Sequence, residues 1–70
     1  NEEVHVLNVD TGTRLITYAI KGERNSGIVE LNGPAARLGM KGDRVMVLSY
    51  AMLSEEEIAV HKPKIVCVNP

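Results

Sequence analysis

Two short stretches carry residue types that could do chemistry together. The first is Arg14-Leu15-Ile16-Thr17-Tyr18. Strand alternation puts Arg14, Ile16, Tyr18 and Ile20 on one face, with Leu15, Thr17 and Ala19 on the other. Arg14 and Tyr18 then stand ~13 Å apart at Cα, four steps of about 3.3 Å, so two long side chains leaning together could reach one small anion. Arginine offers a carboxylate a planar fork of donors, and a tyrosine hydroxyl donates a hydrogen bond or a proton. The second stretch, Ile28–Arg37, runs Ile-Val-Glu-Leu-Asn-Gly-Pro-Ala-Ala-Arg. It reads as a short apolar strand entering an Asn32-Gly33 turn and then a proline-led helical turn. Asn-Gly favours φ > 0, and Pro34 suits a first helical position, where its absent N–H is not needed. Asn32's amide, the Gly33 N–H and the first N–H groups of the turn would border a small pocket suited to carboxylate or phosphate. Gly33, Ala35 and Ala36 are small enough to let a ligand approach. The plainer alternative is a surface arginine, a packing tyrosine and an ordinary strand–turn–helix corner.

The elements that must position these residues follow from the apolar pattern. Val4–Val9 is rich in β-branched residues and reads as a strand. Asp10-Thr11-Gly12 is a turn with glycine at a left-handed position, and Thr13–Ile20 follows as a second strand at hairpin distance. Lys21–Gly27 is a polar loop, and Ile28–Leu31 a short strand. Pro34–Leu38 makes a turn or two of helix, with Gly39 as its C′ stop. Met40–Asp43 is a turn into a strand, Arg44–Tyr50. There Val45, Val47 and Ser49 alternate with Met46, Leu48 and Tyr50, and both faces are apolar, as inside a barrel or sandwich. Ser54-Glu55-Glu56-Glu57 is a capping box whose acids sit at the favourable end of the helix dipole. Pro63 limits that helix to roughly Glu55–Val60, and Lys64–Val68 reads as a last strand. About five short strands joined by small helical turns predict an all-β fold, a small barrel or sandwich.

Seventy residues make a single domain, 1–70. A chain of this length buries only about 60% of its unfolded surface, so an isolated copy is marginal without oligomerisation or further chain. One cysteine, Cys67, excludes an intrachain disulfide; in Ile-Val-Cys-Val it reads as a small core residue. No Cys/His spacing resembles a zinc site, and no metal is expected. His5 and His61 lack partners at ligand or triad spacing and read as surface or packing residues. Ser26, Ser49 and Ser54 show no nucleophile elbow, and the glycines fit neither a dinucleotide fingerprint nor a phosphate loop.

Eight basic against nine acidic side chains give a net charge of −1. That argues against a nucleic-acid partner, which calls for a strong basic excess. Tyr18 and Tyr50 are too few aromatics for a base-stacking platform. No apolar run approaches the ~20 residues of a membrane span, and Asn-Glu-Glu-Val is not a signal peptide. The expected compartment is a reducing cytoplasm. The chain opens directly in strand pattern without an initiator methionine and reads as a segment of a longer protein. Residue chemistry alone stops at an anion-binding pocket in a small β domain.

The order of motifs goes further. Asn8-Val9 and Thr11-Gly12 lead to Thr13-Arg14-Leu15-Ile16-Thr17-Tyr18-Ala19-Ile20. Gly22-Glu23-Arg24-Asn25-Ser26-Gly27, Leu31-Asn32-Gly33-Pro34-Ala35-Ala36-Arg37 and Gly42-Asp43-Arg44-Val45 follow in turn. Ser49-Tyr50, Glu55-Glu56-Glu57 and His61-Lys62-Pro63 complete the series. From end to end this closely resembles the pyruvoyl-dependent aspartate 1-decarboxylases. The pairing of Arg-x-x-Thr-Tyr with Asn-Gly-x-Ala-Ala is the specific part.

The resemblance implies a small double-psi β-barrel, present here in part, in a homotetramer with active sites between subunits. It implies decarboxylation of L-aspartate to β-alanine, a precursor of pantothenate and coenzyme A. By the family's motif Arg14 would hold a substrate carboxylate, Thr17 would contact substrate, and Tyr18 would donate a proton after carbon dioxide leaves. Gly33, Pro34 and Ala35 would line the substrate site through backbone groups, and Asn32 would support the pocket and the maturation chemistry. The family's electron sink is a pyruvoyl group, made when the precursor cuts itself between glycine and serine, and aspartate forms a Schiff base with it.

Two departures matter. No Gly-Ser dipeptide occurs in these residues, and the family's amino-terminal lysine and histidine have no counterpart. The sequence matches the portion C-terminal to the cleavage site. The expected partner is therefore the N-terminal β chain of the processed enzyme, and this piece alone should be inactive. Pro34 also stands where alanine is common, which removes one N–H from the pocket. The alternative function is a non-catalytic interaction or regulatory module on the same barrel.

Overall fold

Along Glu3–Asn8, Val4, Val6 and Asn8 alternate with Glu3, His5 and Leu7, and this period of two makes the segment a strand with two distinct faces. The computed structural model describes residues 1–68. In it this strand, β1 (Glu3–Asn8), lies between β2 (Arg14–Tyr18) and β3 (Val45–Leu48) in a three-stranded antiparallel sheet. β1 and β2 form the expected hairpin: the Asn8 N–H donates to Thr13 O and the Gly12 N–H to Asn8 O, each at 2.8 Å. Gly12 takes φ +78°, the left-handed conformation the turn requires.

The register assigns every strand residue to a face. Val4 stands opposite Thr17, and Val6 opposite Leu15 and Val47. On the other face Glu3 pairs with Tyr18, His5 with Ile16 and Leu48, and Leu7 with Arg14 and Met46. Val4, Val6 and Asn8 are the buried residues among those described, so the core is one side of the central strand. His5, half-buried on the opposite side, packs its ring 4.8 Å from that of Tyr50 at a tilt of 59°, in keeping with a packing role.

The sheet is open. The Cα radius of gyration is 14.1 Å, against ~11 Å for a compact domain of this length. The structure is mainly β, consistent with part of an all-β barrel, yet several expected elements change. Ile28–Leu31 and Lys64–Val68 are not strands; neither pairs with the sheet, and a β-prone run becomes a strand only through its partners. Cys67 is exposed rather than in a core. The third strand is shorter than Arg44–Tyr50, and Val47 is 60% exposed on what was expected to be a covered face. No second layer lies over it among the described residues.

Gly33–Leu38 forms a 3-10 helix with Pro34 at its start. Gly39 does not end it in a left-handed conformation: its φ of −156° and ψ of 151° are extended. A Cβ on Gly39 would sit 2.6 Å from Leu31 Cδ1, so the glycine serves close packing. The capping box forms as read. Ser54 Oγ accepts from the Glu57 N–H at 3.2 Å, and Glu57 Oε1 from the Ser54 N–H at 3.1 Å, starting α1 (Glu55–Val60). These bonds hold the Glu57 carboxyl below its usual range. No helix among the described residues is long and apolar enough to cross a membrane.

Candidate active site on the edge strand

β2 carries three of the residues with chemical capacity, and it is an edge strand. Arg14 and Tyr18 are both exposed and share the face of Glu3, His5 and Leu7. Thr17, half-buried, points to the other face, beside Val4. The alternation read from sequence therefore holds, and it divides the expected set between the two sides of the strand. Thr17 and Tyr18 nevertheless meet at the strand edge, where they line a shallow hollow of about 580 Å³ with Asn1, Glu3 and Ile16. Tyr18 is 56% exposed there. A phenol in that position can pass its proton to a bound molecule, and Thr17 can offer a hydroxyl at the rim.

The second half of the expected site sits on the 3-10 helix, which packs against β2. Gly33 has φ +60°, as the Asn-Gly pair predicts, while Asn32 keeps an extended φ of −109°. Adding a side chain at Gly33 would meet nothing within 4 Å. The backbone there is open to a ligand, as a pocket wall of small residues requires. Asn32, Gly33 and Pro34 are exposed and Ala35 half-buried. The Asn32 side chain makes no cap bond to the helix, so its amide is free for another partner. None of the four lines the hollow at Tyr18. β2 and the 3-10 helix are neighbours, but one chain does not enclose a pocket with all seven residues.

What holds these pieces in place was not legible as a site residue. Asn8 is 2% exposed, and its amide makes four hydrogen bonds. Oδ1 accepts from the Asp10 and Thr11 N–H groups at 3.0 and 3.1 Å, closing the turn that feeds β2. Nδ2 donates to Leu38 O at 3.1 Å, at the end of the 3-10 helix, and to Asp43 Oδ2 at 2.9 Å. The same Asp43 oxygen accepts from the Met40 N–H at 2.9 Å. An asparagine at a strand end followed by Asp-Thr-Gly is the signature of the first pair of bonds. No local pattern announces the second.

The chain is thus mainly β, with a cation and a phenol on one face of an edge strand and a glycine-opened turn packed against that strand. All of residues 1–70 match the aspartate decarboxylase family, and the chain belongs to that family. It is 52% identical over 68 residues to the aspartate 1-decarboxylase of Dehalococcoides mccartyi (strain CBDB1), covering 97% of this chain and 55% of that protein. It is 56% identical over 69 residues to that of Bacillus licheniformis, covering 99% of this chain and 54% of the relative. With that of Bacillus subtilis (strain 168) the identity is 49% over 69 residues, with the same coverages of 99% and 54%. The chain spans about half the length of the curated relatives it matches.

Proposed function

We propose that the protein containing these residues removes the α-carboxylate of L-aspartate to give β-alanine and carbon dioxide, serving the synthesis of pantothenate and coenzyme A. The observation that carries this reading is the packing of the Arg14–Tyr18 strand against the Gly33–Leu38 turn in a chain of the aspartate decarboxylase family.

The chain's own residues take distinct parts. Arg14 holds a substrate carboxylate through its guanidinium fork. Thr17 adds a hydroxyl contact. Gly33, Pro34 and Ala35 line the pocket through backbone groups; Pro34 has no N–H, so its contact is made by its carbonyl or ring. Asn32 supports the pocket wall. When carbon dioxide departs, an electron pair remains at the former α-carbon, and Tyr18 Oη delivers a proton to that carbon.

A pyruvoyl group, when present, supplies the electron sink that makes this loss feasible. Tyr18 and Thr17, which meet at an open hollow on the strand edge, would border such a group. Its parent serine lies outside these residues, on the glycine-serine pair that self-cleavage divides, leaving an N-terminal β chain as partner. We place the active site between subunits of a cytoplasmic homotetramer of double-psi β-barrels. Support comes from the division of Arg14 and Tyr18 from Thr17 across β2, which leaves the site unclosed in one chain. Exposed apolar residues such as Met46 and Val47 also suit further burial on assembly.

The test is direct. The full-length protein, carried to complete self-cleavage, is incubated with L-aspartate. Equimolar β-alanine and carbon dioxide are expected; no β-alanine from fully cleaved protein would overturn the assignment.

A further inference from the structure

We propose that Asn8 is a positioning residue for this reaction: it sets the place of the Asn32–Ala35 wall against β2, and through it the affinity for substrate. The inference rests on the functional reading above. Its basis is the way the Asn32–Leu38 segment is closed at its base. Gly39, which follows the segment, lies so near Leu31, which precedes it, that a Cβ would approach Leu31 Cδ1 to 2.6 Å and Asn8 Nδ2 to 3.7 Å. The two ends of the segment therefore meet at Gly39, and Asn8 Nδ2, close beside that glycine, fixes the later end through Leu38 O. The same amide fixes the turn that leads into β2 through the Asp10 and Thr11 N–H groups. One buried side chain thus sets the relative position of two elements that each carry substrate-binding groups. With both donors and both acceptor sites used, the amide has no spare capacity for a second arrangement.

The two halves of the amide can be separated experimentally. Asn8→Asp keeps acceptors for the turn but places oxygen against Leu38 O and the Asp43 carboxylate, removing the clamp on the 3-10 helix. Asp43→Ala removes one partner of Nδ2, together with the acceptor of the Met40 N–H, and leaves Asn8 and its bond to Leu38 O intact. Asp43→Asn retains an oxygen that can accept from both Asn8 Nδ2 and the Met40 N–H.

The measurement is kcat and KM for L-aspartate in the full-length, self-cleaved protein, with folded and cleaved fractions determined for each variant. Asn8→Asp is expected to raise KM at least ~10-fold while lowering kcat less than ~3-fold. Asp43→Ala, which keeps the bond to Leu38 O, should raise KM by a smaller factor but more than ~2-fold, and Asp43→Asn should stay within ~2-fold of wild type. A purely structural role would lower kcat in proportion to the lost folded fraction and leave KM unchanged; that result in Asp43→Ala overturns the proposal even if Asn8→Asp fails to fold. A fully cleaved wild-type protein that makes no β-alanine would overturn the functional reading and this proposal together. An active wild type with unmoved KM in the variants would overturn the proposal alone.

Discussion

Asp10 and Arg44, 34 residues apart, tie the turn after β1 to the start of β3. Arg44 Nε and Nη2 donate to Asp10 Oδ1 at 3.1 and 2.9 Å, and the Arg44 backbone N–H donates to Asp10 Oδ2. The Val9 N–H adds a bond to Arg44 O at 2.8 Å. The side-chain hydrogen bond from Arg44, with its backbone N–H second, lowers the Asp10 carboxyl below its usual value, and Asp10 in turn raises Arg44. The two strands beside β1 are thereby linked at the same end of the sheet that Asn8 holds from within.

The pH dependence of stability follows from the direction of that shift. Asp10 is the better acid in the folded chain, so its contribution is fully present above the ordinary carboxylate pKa and is lost as pH falls through the depressed value. Asp10→Asn should therefore destabilise the protein at about pH 7 and approach wild type as the pH falls through the depressed value. Urea unfolding of both proteins across that range checks it. The effect at neutral pH should be modest because the pair is solvent-accessible.

Gly39→Ala should destabilise only slightly, by less than about 1 kcal/mol, because the atom that an added Cβ meets, Leu31 Cδ1, is the end of a flexible side chain that can swing aside. The cause is Leu31 Cδ1 rather than backbone strain, since Gly39 is extended. Leu31→Val in the same chain should recover part of the loss, and a double-mutant cycle of unfolding free energies measures the coupling. Additivity would show that the two residues do not compete for the same space.

Much of this fold could be read locally. The hairpin, its left-handed Gly12, the positive φ at Gly33 and the Ser54–Glu57 box each rest on neighbours within a few residues, where types and spacing suffice. The misread parts depend on distant chain. Ile28–Leu31 and Lys64–Val68 have strand composition but no strand beside them among the described residues, and Gly39, whose place after the helix suggests a left-handed stop, is extended and lies close beside Leu31. The bonds of Asn8 to Leu38 and Asp43 span 30 and 35 residues, beyond any local pattern. For the candidate site, alternation correctly placed Arg14 and Tyr18 together with Thr17 opposite. It gave no means of seeing that the 3-10 helix packs on the same strand.

Arg14→Gln should raise KM for L-aspartate by about 10- to 100-fold, since a charge-assisted hydrogen bond to a carboxylate contributes about 1.5–3 kcal/mol. Unfolding midpoints should hardly change, because Arg14 is exposed on an edge strand. Steady-state kinetics beside a urea titration separates the two. An unchanged KM would remove Arg14 from substrate binding.

The central claim is tested most directly by turnover of L-aspartate in fully self-cleaved Tyr18→Phe protein. The loss of one hydroxyl should leave self-cleavage and KM near wild type while lowering kcat by ~10²–10⁴-fold, the range for a missing general acid. Wild-type kcat in the phenylalanine variant would contradict the account, taking Tyr18, and with it the edge strand, out of the proton-transfer step.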